Sequence, residues 1–457
     1  MAQYRIGGGL SESSIHPAVM GFMLVAILLI FFLDRKYIVI PFLSIMILAP
    51  FGQQVYVAGL HVFVGRFVIL AAWIRMLKLR SSAKLPIASG GFTVLDKLFL
   101  CYTISRAVAT YLEFIQMQAV INQVGALMDS LGAFFFLRFV IRSEEDVRRV
   151  IKTLAGILLL LSVTMTIEKV AGVNPFGYIG GRLTPFVRDG AIRSQGPFVG
   201  PIPAGTFGAT LLCLFVWLWR YGKSAFWGIT GTVASLIMVV TSASSTPLMA
   251  VPAGILGIAM WPLRNSMRAI RWGFLGIVVI LHLSMKAPVW MLINHVNLVG
   301  GNSSYHRAMI IDAFVRHFSD WWLIGVQSTE SWGFDMWDQA NEFVSEGAKG
   351  GLLTFIFFVA LVSRSFGKLG IARRLKSGSP NEWLAWMLGA TLFTYVVSFF
   401  GISFSDQAAN GWYTLLALIC AVTTAAAVPS PRQQSIRPKP TARPLWPVAR
   451  NDAYVRF

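Results

Sequence analysis

Three arginines, Arg182, Arg188 and Arg193, fall in one polar stretch, GRLTPFVRDGAIRSQGPFVGP, with Asp189 as its one carboxylate. A guanidinium is a planar fork of donors that fits phosphate oxygens, so the chemistry these residues suggest is capture of a phosphorylated anion. The competing reading is a solvated loop in which Arg188 and Asp189 are incidental neighbours. Arg193 stands out, because Gly196-Pro197-Phe198 and Gly200-Pro201 constrain the chain just after it.

A second polar stretch, about 292–349, carries Asp312, Asp320, Glu330, Asp335, Asp338, Glu342 and Glu346 against Arg307, Arg316 and Lys349. Ser303 to Phe318 has the period of an amphipathic helix, with Ile311, Phe314 and Phe318 on one face and Arg307 on that same face. A charge there is either packed in an ion pair or turned toward a ligand. Trp321, Trp322, Trp332 and Trp337 offer indole faces for sugar rings or anchors for a membrane interface. His295, His306 and His317 have no metal-ligand spacing, and no metal site is expected. Asp338 has two readings: cap of the following helix, or a general base whose carboxyl is raised at a low-dielectric boundary. Asn341 and Glu342 are expected on the first turn of that helix, facing the same vestibule.

These stretches must be held by the rest of the chain, and that is apolar. Of 457 residues, 56% are hydrophobic and 13% charged; a soluble domain has roughly twice that charge. The apolar residues gather in blocks near the length that crosses a hydrocarbon core of about 30 Å. Candidate spans are 16–33, 37–52, 57–77, 93–112, 117–140, 150–171, 200–219, 225–243, 246–263, 273–291, 350–365, 383–402 and 411–428. The second is short enough to be re-entrant, so 12–13 spans are expected. The fold class is an all-α transmembrane bundle over 1–428 with outer loops 172–199 and 292–349, followed by a basic, proline-rich cytoplasmic tail, 429–457, that reads as disordered.

Basic connections around Lys78, Arg142, Arg220, Arg264 and Arg373 all fall on one side when the spans are counted, which makes that side cytoplasmic. The net charge of +19 is therefore a topology signal, with anionic membrane lipids as its partner. No basic, aromatic-interleaved soluble module exists to bind nucleic acid. Cys101, Cys213 and Cys420 lie inside apolar blocks and read as small buried hydrophobes. Arg66 and Asp129 are the most central intramembrane charges. No Walker-type loop, HExxH or serine elbow is present.

The order of motifs over residues 180–365 resembles the O-antigen ligase and O-antigen/exopolysaccharide polymerase superfamily of bacterial membrane glycosyltransferases. The resemblance rests on Arg193-Ser194-Gln195-Gly196-Pro197-Phe198 before a span and Thr241-Ser242-Ala243-Ser244-Ser245 at an outer span end. It rests also on Ser304-Tyr305-His306-Arg307 followed by Trp321-Trp322-Leu323-Ile324-Gly325, and on Asn341 with Gly350-Gly351-Leu352 leading into a span. It implies a GT-C-like bundle in the inner membrane, a periplasmic active face, no cofactor, an undecaprenyl-diphosphate-linked glycan as donor and a glycan or lipid-linked acceptor. Other polysaccharide export proteins are implied as partners. Carried over by position, Arg193 and Arg307 would hold the diphosphate as it leaves; the chemistry of the residues themselves adds Asp338 as candidate base and Arg182, Arg188, His306, Trp321, Trp322, Asn341 and Glu342 around the substrate. The family commonly has a histidine immediately before the asparagine; here Ala340 follows Gln339. Asp338, Glu342 or His306 would have to replace it, and a polymerase is preferred to a ligase on that ground. The readings from other classes are a lipid-linked oligosaccharide flippase, resting on Arg66 and Asp129, and a non-catalytic subunit of an assembly complex.

Overall fold

The computed structural model describes residues 13–57, 59–295 and 303–427. The basic tail, 429–457, lies outside the described residues. The described chain is mostly helical: α1 Pro17–Phe32, α2 Val39–Leu48, α3 Val64–Ala83, α4 Val94–Phe114, α5 Met117–Leu127, α6 Ala133–Val140, α7 Glu144–Ala171 and α8 Pro201–Arg220. Then come α9 Ala225–Ser242, α10 Ser245–Ala259, α11 Met267–Ser284, α12 Ser303–Arg316, α13 Phe318–Trp321, α14 Glu342–Leu375, α15 Pro380–Phe399 and α16 Asp406–Ala427. A π-turn, Met128–Gly132, joins α5 to α6 as one continuous rod. Among the described residues seven helical segments are long and apolar enough to cross a membrane: 117–140, α7, α8, α9, α11, α14 and α15. Helices α1, α2 and α10 are apolar but shorter.

Helix starts follow from local chemistry. Thr93 and Asp96 form a reciprocal capping box at α4, as Ser143 and Asp146 do at α7. Proline opens α1, α8 and α15, where a missing N–H costs nothing. Helix α8 is almost wholly buried against α9, α10 and α15, whereas α11 has no buried residue.

Polar contacts sort the helix ends into two groups. At one end Arg35 bonds Asp146 at 3.2 Å, Arg138 holds Asp96 at 2.8 Å with both side chains fully buried, Arg264 and Arg373 share Glu382, and Lys376 meets Glu144. At the other end Gln53 accepts from His16 N and donates to Gly180 O, and Gln407 Nε2 donates to Pro197 O. The ten residues of α2 reach only about 15 Å, yet Tyr37 before it lies under Arg149 and Phe51 after it donates to Pro197 O. The short second block thus joins the two ends.

Two antiparallel hairpins depart from an all-helical chain: β1 Gln54–Val57 with β2 Leu60–Phe63, and β3 Phe186–Arg188 with β4 Ala191–Arg193. The first occupies the start of the block expected as span 57–77. Helix α12 stops at Arg316, so Phe318 does not extend its apolar face; it begins α13 and is exposed.

The stretch 303–344 carries a second core of Ile310, Ala313, Phe314, Trp321, Met336 and Val344. It is fastened to α14 where that helix breaks: Gly351 adopts φ 70°, ψ −176°, Leu352 N donates to Trp322 O, and Val326 N donates to Ala348 O. This backbone region is essentially open to glycine alone, and a Cβ on Gly351 would stand 2.5 Å from Leu323 O. Gly351→Ala is expected to destabilise the protein by at least ~2 kcal/mol. The check is the thermal midpoint in detergent against Gly367→Ala, whose Cβ meets nothing within 4 Å; equal midpoints would refute it.

Candidate functional site

The site is at the Pro197 end of the bundle. Its first part is the β3–β4 hairpin, closed by Asp189 and Gly190 at φ 51° and 72°, the signature of a tight hairpin turn. Arg193 pairs with Phe186 and Arg188 with Ala191. Residues two apart share a face of a strand, so the pairing puts Arg188 and Arg193 on one face as diagonal neighbours, roughly 7–8 Å apart.

The second part is the junction of α9 and α10. Ala243 turns the chain with φ 43°, and Ser244, Ser245 and Thr246 follow in succession. Arg193 Nη2 donates to Ser244 Oγ at 2.6 Å. From α12, Arg307 Nη2 donates to Ser245 Oγ and Thr246 Oγ1, both at 2.9 Å. The Ser244 hydroxyl in turn donates to Ser242 O, and that of Thr246 donates to Gly401 O. Ser244 makes no side-chain cap, so the first amides of α10 keep their positive end of the helix dipole uncapped.

Two guanidiniums from separate loops therefore meet one helix N-terminus. Neither makes an ion pair among the described residues. Arg307 is 6% exposed, and Nε of Arg193 is buried without a partner. The comparison with Arg138 is direct, since that buried arginine holds a carboxylate. Buried charges are paired, neutralised or held for a ligand. Burial, and next the charge of Arg188, pushes both Arg193 and Arg307 below the ordinary guanidinium value. The region is thus electropositive.

Asp338 is the nearby carboxylate. The residue is solvent-accessible, yet desolvation raises its carboxyl above the ordinary value, with Asp335 adding to this and His306 and Arg307 opposing it. His306 Nε2 lies 3.4 Å from Asp338 O. The helix cap, one of the two readings of Asp338, belongs to Asn341, whose Oδ1 accepts from Val344 N at 3.2 Å. Asn341 Nδ2 is buried and unpartnered.

Other expected site residues turn elsewhere. Arg182 folds back on its own loop, donating to Thr184 O and lying 3.9 Å over the Phe186 ring. Trp321 is buried, stacked on Phe314 at 4.0 Å, with its indole N–H on Phe314 O. A packed ring of this kind has no free face for a sugar. Trp322 is exposed. Glu342 is buried, and its carboxylate accepts from Phe404 N at 2.7 Å instead of facing the arginines. Among the described residues no three His, Cys, Asp or Glu side chains gather as a metal site.

Sequence reading missed the role of Ser244, Ser245 and Thr246. Their signal was a run of hydroxyls at a span end, and Asp189-Gly190 was the overlooked hairpin signal. Comparison with protein-family models and with curated proteins finds no match to this chain.

Proposed function

We propose that the chain is a multi-pass glycosyltransferase of a bacterial inner membrane that joins glycan units carried on undecaprenyl diphosphate, working at the periplasmic face. The observation that carries this reading is the convergence of Arg193 and Arg307, without carboxylate partners, on the hydroxyls at the start of α10. A diphosphate is the leaving group that such a site would stabilise most, because charge grows on its oxygen as the anomeric bond breaks. In the proposed step an acceptor hydroxyl attacks the anomeric carbon, the bond from that carbon to phosphate oxygen breaks, and the hydroxyl proton passes to Asp338. Arg188 supplies further positive field, and Asn341 Nδ2 is a free donor for a sugar hydroxyl. In this reading the Arg138–Arg264–Lys376 end faces the cytoplasm by its basic character, thirteen segments cross, and the fold is GT-C-like.

The transporter reading has less support, since Arg66 and Asp129 satisfy each other through three hydrogen bonds of 2.9–3.1 Å. The test is twofold. Gene deletion is expected to accumulate single glycan units on the lipid carrier at the periplasmic face, and purified protein in detergent is expected to extend a lipid-linked donor. Accumulation of finished polymer on the carrier would indicate ligation instead. Units stranded on the cytoplasmic face, with no transfer by purified protein, would overturn the proposal.

A further inference from the structure

We propose that Glu168, at the last turn of α7, is the positioning residue of this site: it clamps the chain beside Arg193 so that the guanidinium is held against Ser244. This rests on the anion-site reading above. Glu168 is fully buried, and its Oε2 accepts the amides of Gln195 at 3.0 Å and Gly196 at 2.9 Å. Among the described residues its Oε1 has no partner, and the carboxylate is held by backbone amides and paired with no cation.

The same turn grips the chain on both sides of Arg193. Lys169 Nζ donates to Ile192 O, and Ser194 Oγ donates to Met165 O at 2.8 Å. Across the gap, Ser194 N donates to Thr241 O at 3.0 Å, three residues before the Ser244 that Arg193 meets. Asn174 Nδ2 completes the clamp on Gly196 O at 2.8 Å. A two-stranded hairpin of three-residue strands is marginal by itself, so the fixed place of Arg193 must come from these anchors. An apolar residue at 168 would fill the space but leave two buried amides unpaired. A glutamine would keep an oxygen to accept them.

The experiment measures binding of inorganic pyrophosphate to the full-length protein in detergent by calorimetry, with thermal unfolding recorded for every variant. Glu168→Leu is expected to weaken binding about tenfold, and Glu168→Gln by no more than about threefold. Because Glu168 acts through Arg193, Glu168→Leu should add nothing on an Arg193→Ala background, the non-additivity expected of coupled residues. Should Glu168→Leu fail to fold, Ser194→Ala removes one anchor alone and is expected to cost a smaller, still Arg193-dependent, loss. The clamp is refuted if folded Glu168→Leu, or Ser194→Ala in its place, binds like wild type, or if the loss persists in full without Arg193. Absence of pyrophosphate binding by wild type, or binding indifferent to Arg193→Ala, would instead overturn the anion site itself.

Discussion

Arg307→Ala is expected to lower glycan transfer by roughly 10²–10³-fold, the loss seen when one preorganised donor to a developing oxyanion is removed. The size follows from burial. Arg307 is 6% exposed and has no carboxylate partner among the described residues, so its charge acts largely through protein instead of water. The loss should appear in the rate at saturating donor as well as in donor affinity, because charge on the leaving diphosphate is greatest in the transition state. Arg307→Lys is expected to recover only part of the rate. An ammonium keeps the charge and could replace Nη2, the one nitrogen that meets both Ser245 and Thr246, but it lacks the remaining donors of the planar guanidinium. Thermal stability should hold or rise in Arg307→Ala, since the substitution removes a buried charge with no carboxylate to abandon. A variant that unfolds instead would make Arg307 a structural residue, and one that transfers at the wild-type rate would remove it from the mechanism. The measurement is single-turnover transfer from a lipid-linked donor, alongside a melting curve.

The membrane helices were readable because hydropathy alone fixes them. The block 117–140 returns with those bounds, and α8, α9 and α15 lie within a few residues of expectation. Where the reading slipped, packing overrode hydropathy. Helix α14 begins at Glu342, where the sequence places its first turn, but its carboxylates turn away from the vestibule because neighbours far away in sequence satisfy them: Arg106 on Glu346 at 2.7 Å and Phe404 N on Glu342. The β1–β2 hairpin hid in an apolar run, whose composition does not distinguish a strand from a helix. At the site, residue type exposed the arginines, and a charge on the apolar face of α12 marked Arg307. Their meeting place was not readable, since Ser244 is fifty-one positions from Arg193 and only tertiary structure joins them. Residue type likewise left Trp321 open as a sugar platform, and only its packing on Phe314 closes that face.

Asp338→Asn is expected to lower the rate at neutral pH by about 10²–10⁴-fold, the usual contribution of a positioned general base. The assignment has a pH signature. A base works as its carboxylate, and desolvation raises the Asp338 carboxyl above the ordinary value. The acidic limb of the rate profile should therefore lie above pH ~3.9, where an unperturbed aspartate titrates. Its neighbours give the sign of further shifts. Asp335 pushes the carboxyl up, so Asp335→Asn should move the limb to lower pH; His306 pulls it down while protonated, so His306→Gln should move it to higher pH. These opposite displacements separate a catalytic carboxylate from a structural one, whose loss would lower the rate equally at every pH. A profile unmoved by either neighbour, with Asp338→Asn still active, would leave the diphosphate site standing and send the search for the base to another group. The resemblance drawn from the sequence would place a histidine where Ala340 stands, directly before Asn341. If Asp338 is that base, Ala340→His should restore part of the rate lost in Asp338→Asn and show a limb near the histidine value of about 6.5, because an imidazole two residues along the same segment would be offered to the same acceptor hydroxyl.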